Sequence, residues 1–193
     1  MEGSPTRDPD EKTTLHLVRI PPGSHQPAIR SLVRQITGAG CIAVVVSLTL
    51  PSRVLLKQYG DEGIDLSRVF IVDAVTRYAG GTDDPDPHIR YVAGPGALTG
   101  IEIGIIGILA GAPAGKKCVL FDSVSALLIH APREQVVRFV HLIGNKLRRN
   151  DIRSVFFCID SGADPGTFSG ISSFIDTILD AGEGISEPGN RSP

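Results

Sequence analysis

The sequence predicts an α/β fold, a doubly wound and mainly parallel sheet flanked by helices, on two observations. Short apolar runs rich in Val, Ile and Phe alternate along the chain with stretches of helical periodicity. Within those runs apolarity is continuous rather than alternating, as in a parallel strand buried on both faces. Strand then helix, repeated, implies right-handed crossovers. The 193 residues are the length of one domain, which can bury its core without disulfides or metal.

Residues 1–14 are polar, with Pro5, Pro9 and several charges, and 181–193 hold three glycines and two prolines with little that is apolar. Both are expected to be disordered tails around a single domain at 15–180. Strands are expected at 15–20, 41–48, 69–72, 118–121 and 152–159, with a weaker sixth at 174–179. Helices are expected at 28–37, 52–62, 98–110, 124–129 and 133–149. The last has the clearest period, with Val136, Phe139, Val140, Ile143 and Leu147 on one stripe and Arg133, His141 and Arg148 off it. Its cationic end, Lys146, Arg148 and Arg149, suits a helix C-terminus better than a nucleic-acid patch, because no aromatic side chains interleave with the charges.

The helix at 98–110 has a different character. Thr99 and Glu102 have the spacing of a capping box, and no residue from 103 to 115 carries a charged or polar side chain. At 100° per residue, Ile101, Ile105, Ile108 and Leu109 form one apolar stripe, with Ile103, Ile106 and Ala110 opposite. A helix flanking a sheet buries one face against it. The second face, with Ile103 and Ile106, is therefore expected to meet a partner protein or a second copy of the chain, the alternative being burial beneath a tail or neighbouring helix of the same chain.

Nineteen basic and 21 acidic side chains leave the chain nearly neutral, so no global field draws it to nucleic acid or to anionic membrane. No apolar run reaches the roughly 20 residues of a membrane-spanning helix. Three cysteines, Cys41, Cys118 and Cys158, flank apolar runs with the spacing of neither a disulfide framework nor a zinc site, and read as core residues. Their odd number and the lack of a secretory signal point to a reducing, cytoplasmic setting.

The segment from residue 15 to 35 has the place and shape of a phosphate-binding loop, strand to loop to helix, whose pattern G-x-x-x-x-G-K-[ST] cradles phosphates on backbone amides. Its chemistry is missing. Ile20 stands for the first glycine, His25 for the second, Gln26 for the lysine and Pro27 for the magnesium-binding hydroxyl. Any nucleotide would have to rest on Gly23, Ser24, His25 and Gln26, through backbone amides such as those of Gly23 and Ser24.

Ligands of parallel sheets bind at the carboxyl ends of strands, where Asp73, Asp122 and Asp160 fall. Cys118 to Ser123 has the form of a Walker B strand, whose aspartate, here Asp122, holds magnesium through water. Alternatively Asp122 caps the helix that follows. Asp83, Asp84, Asp86 and His88 lie between glycines and prolines without calcium-loop spacing and read as a solvated loop. Ser24 beside His25, and Ser161 beside Asp160, lack the third group that orients a nucleophile's base.

With the degenerate loop, the Walker B strand and their spacing, the chain resembles the RecA superfamily, and within it the archaeal KaiC-like ATPase branch, over about residues 15–179. The segments 63–67 before 69–73, 97–102, 122–128 and the helix through 136–141 carry that resemblance by order and spacing. It implies a RecA-like P-loop NTPase fold. Active members of that branch carry an acidic pair after the second strand, where this chain has Val46, Ser47, Leu48, Thr49, Leu50 and Pro51. Lysine, hydroxyl and catalytic acid are thus all absent, and phosphoryl transfer needs such parts together. The expectation is a non-catalytic pseudo-ATPase that acts as a regulatory or protein-interaction module, with no catalytic residue and no required cofactor. Two alternatives stand beside it: a nucleotide-binding protein keeping weak ATP and magnesium at the degenerate loop and Asp122, and a DNA-repair accessory protein.

Overall fold

The computed structural model describes residues 15–159 and 165–180. Seven strands, β1 (Leu15–Ile20), β2 (Ile42–Ser47), β3 (Val69–Asp73), β4 (Ile89–Tyr91), β5 (Lys117–Phe121), β6 (Arg153–Ile159) and β7 (Thr177–Asp180), form one sheet. Its order is β4-β3-β2-β5-β6-β1-β7, and every neighbouring pair is parallel. Among the described residues six α-helices and a short 3-10 turn (Leu66–Arg68) connect them: α1 (His25–Gly38), α2 (Ser52–Asp61), α3 (Leu98–Gly111), α4 (Val124–His130), α5 (Arg133–Arg149) and α6 (Pro165–Ser172).

The unbroken apolarity of the strands is explained by two cores. Ala43 and Val45 of β2, Ile71 of β3 and Leu120 of β5 pack with Ile29 and Val33 of α1 and with Leu55 and Tyr59 of α2. Their alternates, Val44, Val46, Val72 and Phe121, pack with α3, α4 and α5 on the opposite face. Phe121 anchors that second layer, stacked on Phe156 at 4.6 Å and edge-on to Phe139 at 6.2 Å. Burying one such side chain stabilises the fold by about 1.5–3 kcal/mol, so the alternation itself fixes which face each residue takes.

Several boundaries differ from expectation for local reasons. α1 opens at His25, three residues before the expected start, because Pro27 is tolerated in a first helical turn. The three-residue edge strand β4 and the short α6 were not expected. The weak sixth run becomes strand only at Thr177, after Asp176 has accepted the N–H of Leu15 (2.8 Å) and paired with Arg148 (2.9 Å). The capping box is not formed: α3 opens at Leu98 behind Ala97, with no side-chain cap, and Glu102 pairs with Lys146 of α5. The expected tails at 1–14 and 181–193 lie outside the described residues. No helix among the described residues is long and apolar enough to cross a membrane.

Candidate functional site

The chain leaves β2 for α2 on one face and β5 for α4 on the other, so the connections that follow these neighbouring strands run to opposite sides of the sheet. A doubly wound sheet opens its ligand crevice at such a point. Asp122, 1 % exposed, stands there at the end of β5. Its Oδ1 accepts the Leu48 N–H (2.9 Å), and its Oδ2 accepts both the Thr49 N–H (3.2 Å) and the Thr49 hydroxyl (2.7 Å). Its own N–H donates to Val46 O at 3.1 Å. A carboxylate has about four lone-pair sites, and here they tie β5 to the end of β2 and the loop after it. Burial pushes the Asp122 carboxyl up to about 6, against the hydrogen bonds from Thr49 and Leu48, which pull it down. The cap expected of Asp122 is made by its neighbour instead: Ser123 Oγ accepts the Ala126 N–H at 3.1 Å and opens α4.

The degenerate loop joins the same network. Residues 21–24 are exposed and form one tight turn, closed by the Ser24 N–H on Pro21 O at 3.2 Å, with Gly23 at φ 83°. That bond engages one of the two amides available to a phosphate. Gln26, half-buried in the first turn of α1, donates from Nε2 to Thr49 Oγ1 at 3.0 Å. The Thr49 hydroxyl thus accepts from Gln26 and donates to Asp122, linking the ends of β1, β2 and β5 in one chain of hydrogen bonds. Gln26 Oε1, His25 Nδ1 and the Tyr59 hydroxyl are buried without a hydrogen-bond partner among the described residues. Burial also lowers the pKa of His25 and favours its neutral ring. A buried carbonyl oxygen and a neutral imidazole supply none of the positive charge that a triphosphate requires.

Asp73 is inaccessible to solvent at the end of β3. Its Oδ1 accepts the Val75 and Thr76 N–H groups, each at 2.8 Å, while Oδ2 accepts the Thr76 hydroxyl (2.6 Å) and the Ser52 N–H (2.7 Å). Ser52 is the first residue of α2, which has no side-chain cap of its own, so Asp73 supplies from β3 the negative charge that a helix N-terminus favours. Burial alone would raise its pKa, but the bonds from Ser52 and Thr76 outweigh burial and hold the carboxyl below the ordinary range.

The remaining candidates are engaged locally. Asp83 pairs with Arg77 (2.6 Å), Asp86 accepts the His88 N–H (2.8 Å), and the His88 ring stacks on Phe70 at 4.3 Å. No cluster of three or more metal-ligating side chains occurs among the described residues. Asp160 and Ser161 lie outside them. Cys118 is buried, its thiol pushed up to about 12 by desolvation, while Cys41 and Cys158 are half-buried; all three are free thiols. On α3 the two faces separate as the helical wheel requires: Ile101 and Ile105 are fully buried, whereas Ile103 is 67 % and Ile106 42 % exposed. Sequence reasoning missed Thr49. Its only signal was a hydroxyl residue in the segment where the resembled ATPases carry acids.

Fold and site together define a parallel α/β domain in which side chains from three strand ends hydrogen-bond to one another at the switch point. The chain belongs to the DUF7504 family, a family of unknown function, whose model matches residues 14–181. No curated protein matches it. Among solved structures it is similar to the uncharacterized protein PH0321 from Pyrococcus horikoshii, at 14 % identity over 88 % of this chain and 78 % of that one, with a TM-score of 0.62. That protein was crystallised in complex with an unknown peptide. At such low identity the likeness establishes a shared fold.

Proposed function

We propose that this chain is a non-catalytic pseudo-ATPase of RecA-like, KaiC-like ancestry that acts in the cytoplasm as a regulatory, protein-binding module. The observation that carries the reading is the chain of bonds from Gln26 through Thr49 to Asp122. Where an ATPase of this fold would place lysine, catalytic acid and magnesium-binding aspartate, this chain has an amide, a hydroxyl and a carboxylate that hydrogen-bond in series. The docking surface is the outer face of α3, since Ile103 and Ile106 leave apolar area in water that a partner protein or a second copy would cover. The peptide in the PH0321 crystal is consistent with protein recognition on this fold.

Titration with magnesium ATP by calorimetry is expected to give no binding heat, and purified protein no phosphate release, for the parent and for Gln26→Lys alike. Pro27 still lacks both an N–H and a hydroxyl in that variant. Phosphate release abolished by Asp122→Asn would overturn the reading. Ile103→Glu combined with Ile106→Lys is expected to keep the circular dichroism spectrum while lowering oligomer mass or partner capture. A folded double variant with unchanged assembly would remove α3 from the interface.

A further inference from the structure

The first half of α5 presents two rows of side chains at i, i+4 spacing, Arg133–Val137–His141 and Glu134–Arg138, away from the stripe that enters the core. α6 is only eight residues long and leaves Arg133, Glu134, Arg138 and His141 exposed. An open groove of about 590 Å³ remains between the two helices. Val137, Gly170 and Phe174 form its apolar part, and Arg133, Arg138 and His141 contribute cationic and N–H donor groups; Glu134 is the one acid among the lining residues. Gly170 keeps the groove open, because a Cβ there would lie 3.3 Å from Val137 Cγ2. Two of the cations in the second half of α5 are employed elsewhere, Lys146 on Glu102 and Arg148 on Asp176. Arg138 differs: it is exposed, and its side chain makes no ion pair or hydrogen bond among the described residues.

We propose that the groove between α5 and α6 docks an acidic segment of a partner protein, with one bulky apolar side chain of that segment seated on Val137, Gly170 and Phe174. The charge of the rim selects the class of partner, since two arginines against one acid leave it cationic among the described residues, and the exposed Arg138 guanidinium complements a carboxylate and steers its approach. The volume lies within the roughly 300–1,000 Å³ of ordinary ligand sites and suits one large side chain. Nucleic acid fits less well: the Phe174 ring lies against His141, 4.8 Å between centroids, and is not a free platform for a base. The proposal rests on the reading of the chain as a protein-binding module but uses a face separate from the outer side of α3.

The test uses the full chain and a fluorescein-labelled decapeptide with one phenylalanine set among glutamates, read by anisotropy at low salt. Saturable binding is expected, weakened by about tenfold or more by Arg138→Glu and by Gly170→Val, and weakened by salt. Replacing the peptide's phenylalanine with serine, or its glutamates with lysines, is expected to give a comparable loss. Melting curves accompany each variant; Arg138 is exposed, so Arg138→Glu remains informative if Gly170→Val fails to fold. Four results would each overturn the proposal: no saturable binding; equal binding of the lysine peptide; tighter binding of an oligothymidylate that Arg138→Glu abolishes; or a gain in peptide affinity on deletion of residues 181–193, which would assign the groove to the chain's own tail. Peptide binding that survives Ile103→Glu with Ile106→Lys keeps this site independent of α3. Heat from magnesium ATP would refute the pseudo-ATPase reading without touching the groove.

Discussion

Asp73 and Asp122 end β3 and β5, strands separated in the sheet only by β2, and both are inaccessible to solvent, yet their carboxyl groups lie on opposite sides of the ordinary aspartate range. The depth of burial explains this. Asp73 accepts bonds that include the first amide of α2, and its partners Val75 and Thr76 are half-buried, near water. Asp122 also receives bonds, from Leu48, Thr49 and Ser47, but lies deeper, and there desolvation outweighs them. Neither burial nor hydrogen bonding by itself therefore decides what a carboxylate contributes. At the shallower position the donors win and the carboxylate becomes a stabilising cap.

The largest expected effect falls on Asp73. Asp73→Ala leaves the Ser52, Val75 and Thr76 amides without their acceptor and is expected to cost about 4 kcal/mol, near 10 °C in Tm for a domain of this size. Asp122→Ala also orphans donors, but it removes a charge that is costly to bury, so its net loss near pH 7 is expected to be smaller, about 1 kcal/mol. Thermal melts of the two variants at pH 7 check the order; equal losses would erase the contrast.

The next effect is in pH. An unfolded aspartate loses its proton near pH 4, whereas folded Asp122 holds its proton up to about 6. Between these values the folded state binds more protons than the unfolded state, so this group's contribution to stability is present below about pH 4 and falls as pH rises, by about 3 kcal/mol in all. His16 and His25, both with lowered pKa, act in the opposite sense in the upper part of that window. Urea unfolding of the parent and of Asp122→Asn should therefore be subtracted; the difference is expected to shift by about 3 kcal/mol between pH 4 and 7, in favour of Asn as pH rises. Asp73, with its pKa lowered, contributes above about pH 4 and loses that contribution as pH falls through its folded value. Asp73→Asn is expected to converge on the parent only in that acidic range. A flat difference curve for Asp122 would mean that the carboxylate is better solvated than its burial implies.

Smaller effects sharpen the role of the network. Thr49→Val removes a donor from Asp122 and the acceptor of Gln26; it is expected to cost about 1 kcal/mol and to move the Asp122 step to higher pH. An unchanged step would separate the hydroxyl from the carboxylate in solution. Gln26→Leu is expected to change stability by no more than about 0.5 kcal/mol, because the lost bond to Thr49 is offset by removal of the unpartnered Oε1. A loss above about 2 kcal/mol would place Gln26 deeper in the network than one bond to a neutral hydroxyl allows.

The regular framework was legible wherever a segment carried its own signal. β1 and α5 match the expected 15–20 and 133–149 because continuous apolarity and a 3.6-residue stripe identify a buried strand and a one-sided helix without reference to neighbours. The two faces of α3 were legible for the same reason. β4 was not: Ile89, Arg90 and Tyr91 follow two prolines in an acidic stretch, and they become a strand only because β3 offers an unpaired edge. At the site, sequence singled out Asp122 and, in the segment after β1, Gln26, which the structure joins through Thr49. It assigned Asp122 the wrong structural partner, since a local cap is the default for an aspartate before a helix and the donors that claim it belong to Leu48 and Thr49, more than seventy positions away.

What the sequence alone determined was the class of fold, the burial of its strands on both faces and the apolar stripes of its helices. These properties follow from residue type and spacing along one segment. Tertiary structure decided which donors each buried aspartate receives, that Gln26, Thr49 and Asp122 form one chain, and that a groove lies between α5 and α6. Each depends on atoms that distant strands and helices bring within a few ångströms, and hydrogen bonding and desolvation act over that distance whatever the separation along the chain.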